Sequence, residues 1–249
     1  MTRLNTFRLA ACLALATSAA CGARDDNRQA AVRTERPAAT ADRTGPANQL
    51  VEHGSGARIV VLGDSLTAGL GLAPDEAYPA VLQEYLAAKG LQYQVVNAGI
   101  SGDTSAGGLS RLDWALEGDV RILIVALGAN DGLRGLPVTQ LRKNLATIVE
   151  RAQARGITVV LAGMEAPPNW GDEYIRAFHE VYPSLAKEYK VALVPFLLEG
   201  VAGISQLNQR DGIHPTARGD RLVADTVWTV LEPIAARLAT RPEGGAPGS

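Results

Sequence analysis

One alternation constrains the fold of this chain more than any other feature. Residues 58–62 form a β-branched run stopped by Gly63, and residues 120–127 form a longer one stopped by Gly128. Shorter runs of the same kind stand at 94–97, 157–161 and 191–194. Runs that are apolar throughout, rather than at every second position, belong to strands buried on both faces. Stretches with helical spacing separate or follow them at 78–89, 104–116, 138–155, 172–189 and 217–238. Pro183 is expected to kink or split the fourth of these helices, and Pro233 to disturb the end of the fifth. Five strands alternating with helices imply an α/β fold with a parallel sheet covered on both sides.

In such sheets ligands bind beyond the carboxyl ends of the strands. The turns that follow the strands are therefore where function is sought. Gly63-Asp64-Ser65-Leu66-Thr67-Ala68-Gly69 follows the first strand and Asn97-Ala98-Gly99-Ile100-Ser101-Gly102-Asp103-Thr104 the second. Gly128-Ala129-Asn130-Asp131-Gly132 follows the third. Asp211-Gly212-Ile213-His214-Pro215 precedes the last helix. All four are polar and glycine-rich, and each holds a residue useful for acyl transfer.

Composition removes several alternatives. The 249 residues carry 24 Lys and Arg against 26 Asp and Glu, a formal charge of −2, so the basic face that nucleic acid requires is missing. Aromatic residues are only 5%, too few for a base- or sugar-stacking platform. The turn after the first strand lacks Gly-x-Gly-x-x-Gly and any Walker-type loop, which argues against a nucleotide site. It also lacks Gly-x-Ser-x-Gly, so the α/β-hydrolase nucleophile elbow is not the pattern. No His, Asp and Glu cluster has metal-ligand spacing, and no metal is expected.

The amino terminus reads differently from the rest. Residues 1–8 carry Arg3 and Arg8 without an acid, and 9–20 form an apolar run too short to span a bilayer but suited to a signal peptide. Ser18-Ala19-Ala20-Cys21 resembles a bacterial lipobox, with Cys21 as the lipidated residue, although Ser18 stands where Leu is usual. Ordinary secretion, with cleavage after a small residue, is the plainer reading. Cys12 and Cys21 are the only cysteines, so the body has neither a disulfide nor a cysteine metal site. Residues 22–57 are rich in Ala, Arg, Thr, Asp and Pro without a period, and are expected to be a flexible tether. The expected organisation is a signal peptide over 1–21, the tether over 22–57, one α/β domain over 58–240 and a disordered tail over 241–249.

Hydrolysing an ester needs a nucleophile, a base, a group to orient the base, and donors for the oxyanion. Ser65 lies just past a buried strand, at the start of a helix whose N-terminus favours developing negative charge. Taken alone it is as well explained as a helix cap. Of the three histidines, His53 falls in the tether and His179 in the middle of an expected helix, which leaves His214 in a loop. An imidazole suits proton transfer near neutrality. Asp211, three residues earlier, can reach it across a tight turn and fix its tautomer. Gly102 allows its N–H to approach a carbonyl oxygen, and Asn130 offers a carboxamide donor. Each of these also has an ordinary role in a turn. Asp64, Asp103 and Asp131 are read as capping helices or bracing loops.

These four turns, in this order, resemble the SGNH/GDSL hydrolase family over roughly residues 58–238. Each motif is weak alone; the ordered set is specific. The stretches 63–69, 127–135 and 164–169 resemble in particular the bacterial periplasmic thioesterase/lysophospholipase/arylesterase branch. The resemblance implies a flavodoxin-like three-layer αβα sandwich around a five-stranded parallel sheet. It implies Ser65 as nucleophile, His214 as base and Asp211 as orienting acid. The Ser65 N–H, the Gly102 N–H and the Asn130 side chain would form the oxyanion hole, with no cofactor. Ala129 departs from the family, whose close members tend to have Gly there; the lipobox-like start is a second departure.

The expected activity is hydrolysis, through an acyl-enzyme, of short- to medium-chain acyl esters, aryl esters, thioesters or lysophospholipids. A carbohydrate O-acetylesterase and a non-catalytic lipid-binding module are the alternatives. Residues 164–171, with Pro167, Pro168 and Trp170, are expected to form a loop over the acyl pocket, and Leu133 and Arg134 to line its mouth. The expected partners are a small-molecule acyl ester or lipid and, through Cys21, a membrane, with the chain exported to the periplasm.

Overall fold

The computed structural model describes residues 56–240. The signal segment with Cys21, nearly all of the tether and the tail 241–249 lie outside the described residues. The strands are β1 (Arg58–Gly63), β2 (Gln94–Gly99), β3 (Val120–Ala126), β4 (Thr158–Ala162) and β5 (Ala192–Val194). All pair in parallel, in the order β2-β1-β3-β4-β5. Leu62 stands opposite Ala98 on one side and Val125 on the other, and Leu161 opposite Leu193. This is the expected α/β three-layer sandwich of the flavodoxin-like order.

Ile59, Val60, Val61 and Leu62 are wholly buried, as are Ile122, Leu123 and Ile124, because helices cover both faces of the central strands. The helices are α1 (Ser65–Ala68), α2 (Tyr78–Ala88), α3 (Ser105–Ser110), α4 (Leu112–Ala115), α5 (Ala129–Leu133), α6 (Val138–Gln153), α7 (Asp172–His179), α8 (Val181–Tyr189) and α9 (Ala217–Ala239). Helices α2 and α9 pack together, and α3, α6 and α8 form a second packed group.

Three sequence expectations need refinement. The helix expected over 104–116 breaks at Arg111, whose backbone leaves helical geometry (φ −108°, ψ 11°). The helix over 172–189 divides at Glu180, three residues before Pro183. The proline ring clashes with the carbonyl four residues back, at His179, so the break falls one turn ahead of it. Consequently His179 ends α7 rather than lying mid-helix, and its Nδ1 is 2.7 Å from Glu165 Oε1. Pro233 is carried inside α9, which continues to Ala239.

The chain passes from β1 outward to β2, then back across β1 to β3. Strands β1 and β3 are thus neighbours whose following connections leave in opposite directions. In sheets of this order that switch point, at the carboxyl ends of the strands, is the place where ligands bind. The segments that enter it are Gly63-Asp64-Ser65 and Gly128-Ala129-Asn130.

Candidate active site

Ser65 is placed by the way β1 ends. Asp64 is the N-cap of α1, and its Oδ1 accepts the Leu66 N–H at 3.0 Å, so the strand turns into the helix with Ser65 at its first position. The first N–H groups of a helix have no partner within it.

His214 arrives from the far end of the chain. Asp211 Oδ1 accepts the backbone N–H of Ile213 at 2.9 Å and of His214 at 3.0 Å, an Asx turn that folds the loop back on itself. Its other oxygen, Oδ2, lies 2.7 Å from His214 Nδ1. These contacts, the imidazole first, hold the Asp211 carboxyl down at about 2. A carboxylate at Nδ1 requires the proton there, which leaves Nε2 as an acceptor. His214 Nε2 is 2.9 Å from Ser65 Oγ, so the serine hydroxyl can donate to it.

Gln209 staples this arrangement. Its Nε2 donates to the carbonyls of Leu70 (2.7 Å) and Pro215 (2.9 Å), which joins the loop behind Ser65 to the loop holding His214. The Gln209 N–H also donates to the His214 carbonyl at 2.7 Å.

Asn130 is the second residue of α5. Gly128, which starts this turn, has φ +119°, and a Cβ there would fall 2.0 Å from the Tyr182 hydroxyl, so only glycine fits. Ala129 is not among the residues with positive φ and is accommodated as the first helical residue, so its departure from the family pattern causes no backbone strain. Asn130 Nδ2 donates to Asp64 Oδ2 at 3.3 Å. Asp64 is 1% exposed, and burial raises its carboxyl to about 6 against the lowering effect of the Leu66 N–H and the Asn130 amide. The next residue, Asp131, accepts from Ser105 N (2.7 Å) and Ser105 Oγ (2.6 Å), and thereby fixes α5 against α3.

Gly102 has φ +86°, in the left-handed region, and its N–H has no hydrogen-bond partner among the described residues. Its carbonyl accepts from Arg134 Nη2 at 2.8 Å, which ties the loop to the end of α5. Arg111 holds the same loop from beneath. Its Nε meets Asp103 Oδ2 at 2.6 Å, and its two terminal nitrogens donate to the carbonyls of Ala98 and Gly63, both at 2.8 Å.

The structure therefore brings Ser65, His214 and Asp211 into one hydrogen-bonded chain, links Asn130 to the residue beside Ser65, and moors the Gly102 loop to the end of β1. Asp64, Asp103 and Asp131 cap or brace, as expected. Sequence reasoning missed Arg111 and Gln209, each of which donates to backbone carbonyls that no local pattern marks. In the 164–171 loop, Pro168–Trp170 form a 3-10 turn, and the Trp170 ring lies so close to Gly135 that a Cβ there would sit 2.7 Å from it. The loop thus packs on the segment that follows Asn130. A cavity of about 650 Å³ opens at the other edge of the sheet, around the amino ends of β4 and β5, lined by Thr158, Lys190 and Arg237 among others. Its lining holds no serine, cysteine, histidine or carboxylate.

Residues 61–222 match the GDSL-like lipase/acylhydrolase family. The chain belongs to that family. It is an ester-bond hydrolase, as the SGNH-like fold and the relatives agree. Esterase TesA of Pseudomonas aeruginosa is 46% identical over 186 residues, which span 74% of this chain and 92% of that one. Thioesterase 1/protease 1/lysophospholipase L1 of Escherichia coli K12 is 40% identical over 177 residues, 71% of this chain and 84% of its own. A crystal structure of TesA superposes with a TM-score of 0.68 at 47% identity and covers 72% of this chain and 99% of that one.

Proposed function

We propose that this hydrolase cleaves short- to medium-chain acyl esters, aryl esters, thioesters or lysophospholipids, with Ser65 as nucleophile. The observation that carries the reading is the unbroken contact chain from Ser65 Oγ through His214 to Asp211, at 2.9 and 2.7 Å. Ser65 Oγ attacks the carbonyl carbon while its proton passes to His214 Nε2. Asp211 stabilises the imidazolium that results. The carbonyl oxygen, now negative, takes hydrogen bonds from the Ser65 N–H, the Gly102 N–H and Asn130 Nδ2. His214 returns its proton to the departing alkoxide or thiolate, which leaves an acyl-Ser65 ester. A water molecule, deprotonated by His214, then attacks that ester; the acyl–oxygen bond breaks, His214 returns the proton to Ser65 Oγ, and the acid is released.

The decisive experiment is Ser65→Ala, assayed on p-nitrophenyl acyl esters and lysophosphatidylcholine. The activity is expected to be lost, and hydrolysis persisting near the wild-type rate would refute the assignment. Trp170→Ala tests the 164–171 loop as the roof of the acyl pocket: a shifted chain-length preference is expected, and an unchanged one removes the loop from that role.

We also propose that the chain is exported to the periplasm and lipidated at Cys21, which would keep the enzyme beside a membrane. The support is the charged start, the apolar run over 9–20 and the small residues before Cys21. Incorporation of labelled palmitate, absent in Cys21→Ser, is the expected result; no incorporation in the wild type leaves plain secretion.

A further inference from the structure

Asp64 does more than a helix cap requires. A cap needs one acceptor, and elsewhere in this chain a threonine hydroxyl supplies it: Thr104 for α3 and Thr216 for α9. Neither carries the cost of burying a carboxyl. Asp64 does carry it, with 1% of its surface exposed and no basic side chain paired with it among the described residues. One of its oxygens caps α1 through Leu66 N. The other faces the Asn130 amide at 3.3 Å.

We infer that Asp64 is a positioning residue for Asn130, an acceptor-only carboxylate that fixes which way round the carboxamide faces. The inference rests on the reading of Asn130 as an oxyanion donor. The oxygen and nitrogen of a carboxamide are nearly equal in size, so packing alone does not choose between its two orientations. A partner that can only accept does choose, because Nδ2 must then face it. That nitrogen carries two hydrogens. One is spent on Asp64, and the other remains for the oxygen of the tetrahedral intermediate. A partner able to donate would let Oδ1 turn toward it. Oxygen lone pairs would then stand where negative charge develops.

This orientation matters in the transition state and hardly at all in the ground state, so its loss falls on kcat. Asp64→Asn keeps an acceptor for Leu66 N but adds a donor beside Asn130. We expect kcat to fall by about 10²-fold, the usual cost of one oxyanion donor, with KM within about threefold of wild type. Asn130→Ala is expected to fall similarly, and the double variant Asp64→Asn/Asn130→Ala to fall no further than Asn130→Ala alone. Multiplied losses in the double variant, or wild-type kcat in Asp64→Asn, overturn the inference. If Asn130→Ala itself keeps full activity, the oxyanion reading fails first. A measurement on the wild-type protein does not depend on any variant folding. The side-chain 15N–1H2 pair of Asn130 should show one proton shifted downfield and slow to exchange. Two equivalent, fast-exchanging protons would also overturn the assignment.

Discussion

Gln209 and Leu70 lie 139 residues apart in sequence, yet Gln209 Nε2 donates to the Leu70 carbonyl at 2.7 Å. Through this contact and the one to Pro215, the segments that carry Ser65 and His214 share a support. Ser65 sits one turn before Leu70, and His214 immediately before Pro215. Removal of the amide in Gln209→Ala should therefore loosen the 2.9 Å approach of His214 to Ser65 without touching either residue. We expect kcat to fall roughly tenfold and KM to change little. The two lost hydrogen bonds should cost about 1–3 kcal/mol of stability. Steady-state kinetics beside a urea melt separates the effects: a stability loss with unchanged kcat would reduce Gln209 to a loop brace.

Asp211 should carry its charge at every pH above about 4. Its carboxyl is depressed to about 2, first by the His214 imidazole and then by the two backbone N–H groups. For a carboxyl lowered in the folded state, the stabilisation is fully present above its ordinary value of 3.8 and disappears only as pH falls toward 2. It therefore stays ionised throughout the range above about pH 4. Asp211→Asn should permit the wrong tautomer and lower kcat by about 10⁴-fold, as the same change does in a serine-protease triad. Steady-state kinetics at about pH 8 is the check, and a kcat within about tenfold of wild type would remove Asp211 from the orienting role.

The central strands were legible because their burial leaves a local trace: 59–62 and 122–124 are apolar without interruption. The edge strand β2 was legible only as far as Asn97. Its pairing runs on through Ala98 and Gly99, opposite Leu62 and Gly63, and backbone pairing of that kind has no side-chain signature. The break at Arg111 was invisible for a related reason. That residue leaves the helix while its guanidinium reaches Asp103, Ala98 and Gly63, partners chosen by the tertiary fold. Ser65, Asp211 and His214 could be read as candidates because each stands in a short polar turn after a strand or before a helix. The residues that support them could not, since glutamine and arginine are common everywhere and most of their partners here are main-chain oxygens.

Arg111 is the residue on which the ends of β1 and β2 depend. Its guanidinium is one fork meeting a carboxylate and two carbonyls, and the side chains of the ion pair are only 13% and 19% exposed. Arg111→Met strands Asp103 and both carbonyls and should cost roughly 3–5 kcal/mol. Arg111→Lys should recover only part of this, because an ammonium on a flexible stem does not match three acceptors arranged around a plane. Chemical denaturation midpoints for the three proteins provide the check. If lysine restores full stability, the fork geometry is irrelevant and charge alone suffices.

Asp220 gives a pH dependence of opposite sign. Helix α2 begins after Ala77, which has no side chain able to cap it, and Asp220 of α9 supplies the acceptor, taking the Tyr78 N–H at 2.7 Å. Burial raises its carboxyl to about 7 from an ordinary 3.8. A carboxyl raised in the folded state contributes stability that is complete below 3.8 and is lost as pH climbs through about 7. Three pKa units correspond to about 4 kcal/mol, an upper bound because a little water reaching the site would soften the cost. Asp220→Asn keeps an oxygen for the Tyr78 N–H and carries no charge. Its stability relative to wild type should therefore improve steadily between about pH 4 and pH 8, by as much as ~4 kcal/mol, which corresponds to about 10 °C in Tm for a domain of this size. Thermal melts of both proteins across that range decide the matter. A constant difference would mean that Asp220 is already ionised throughout and that its cap on α2 is a charged one.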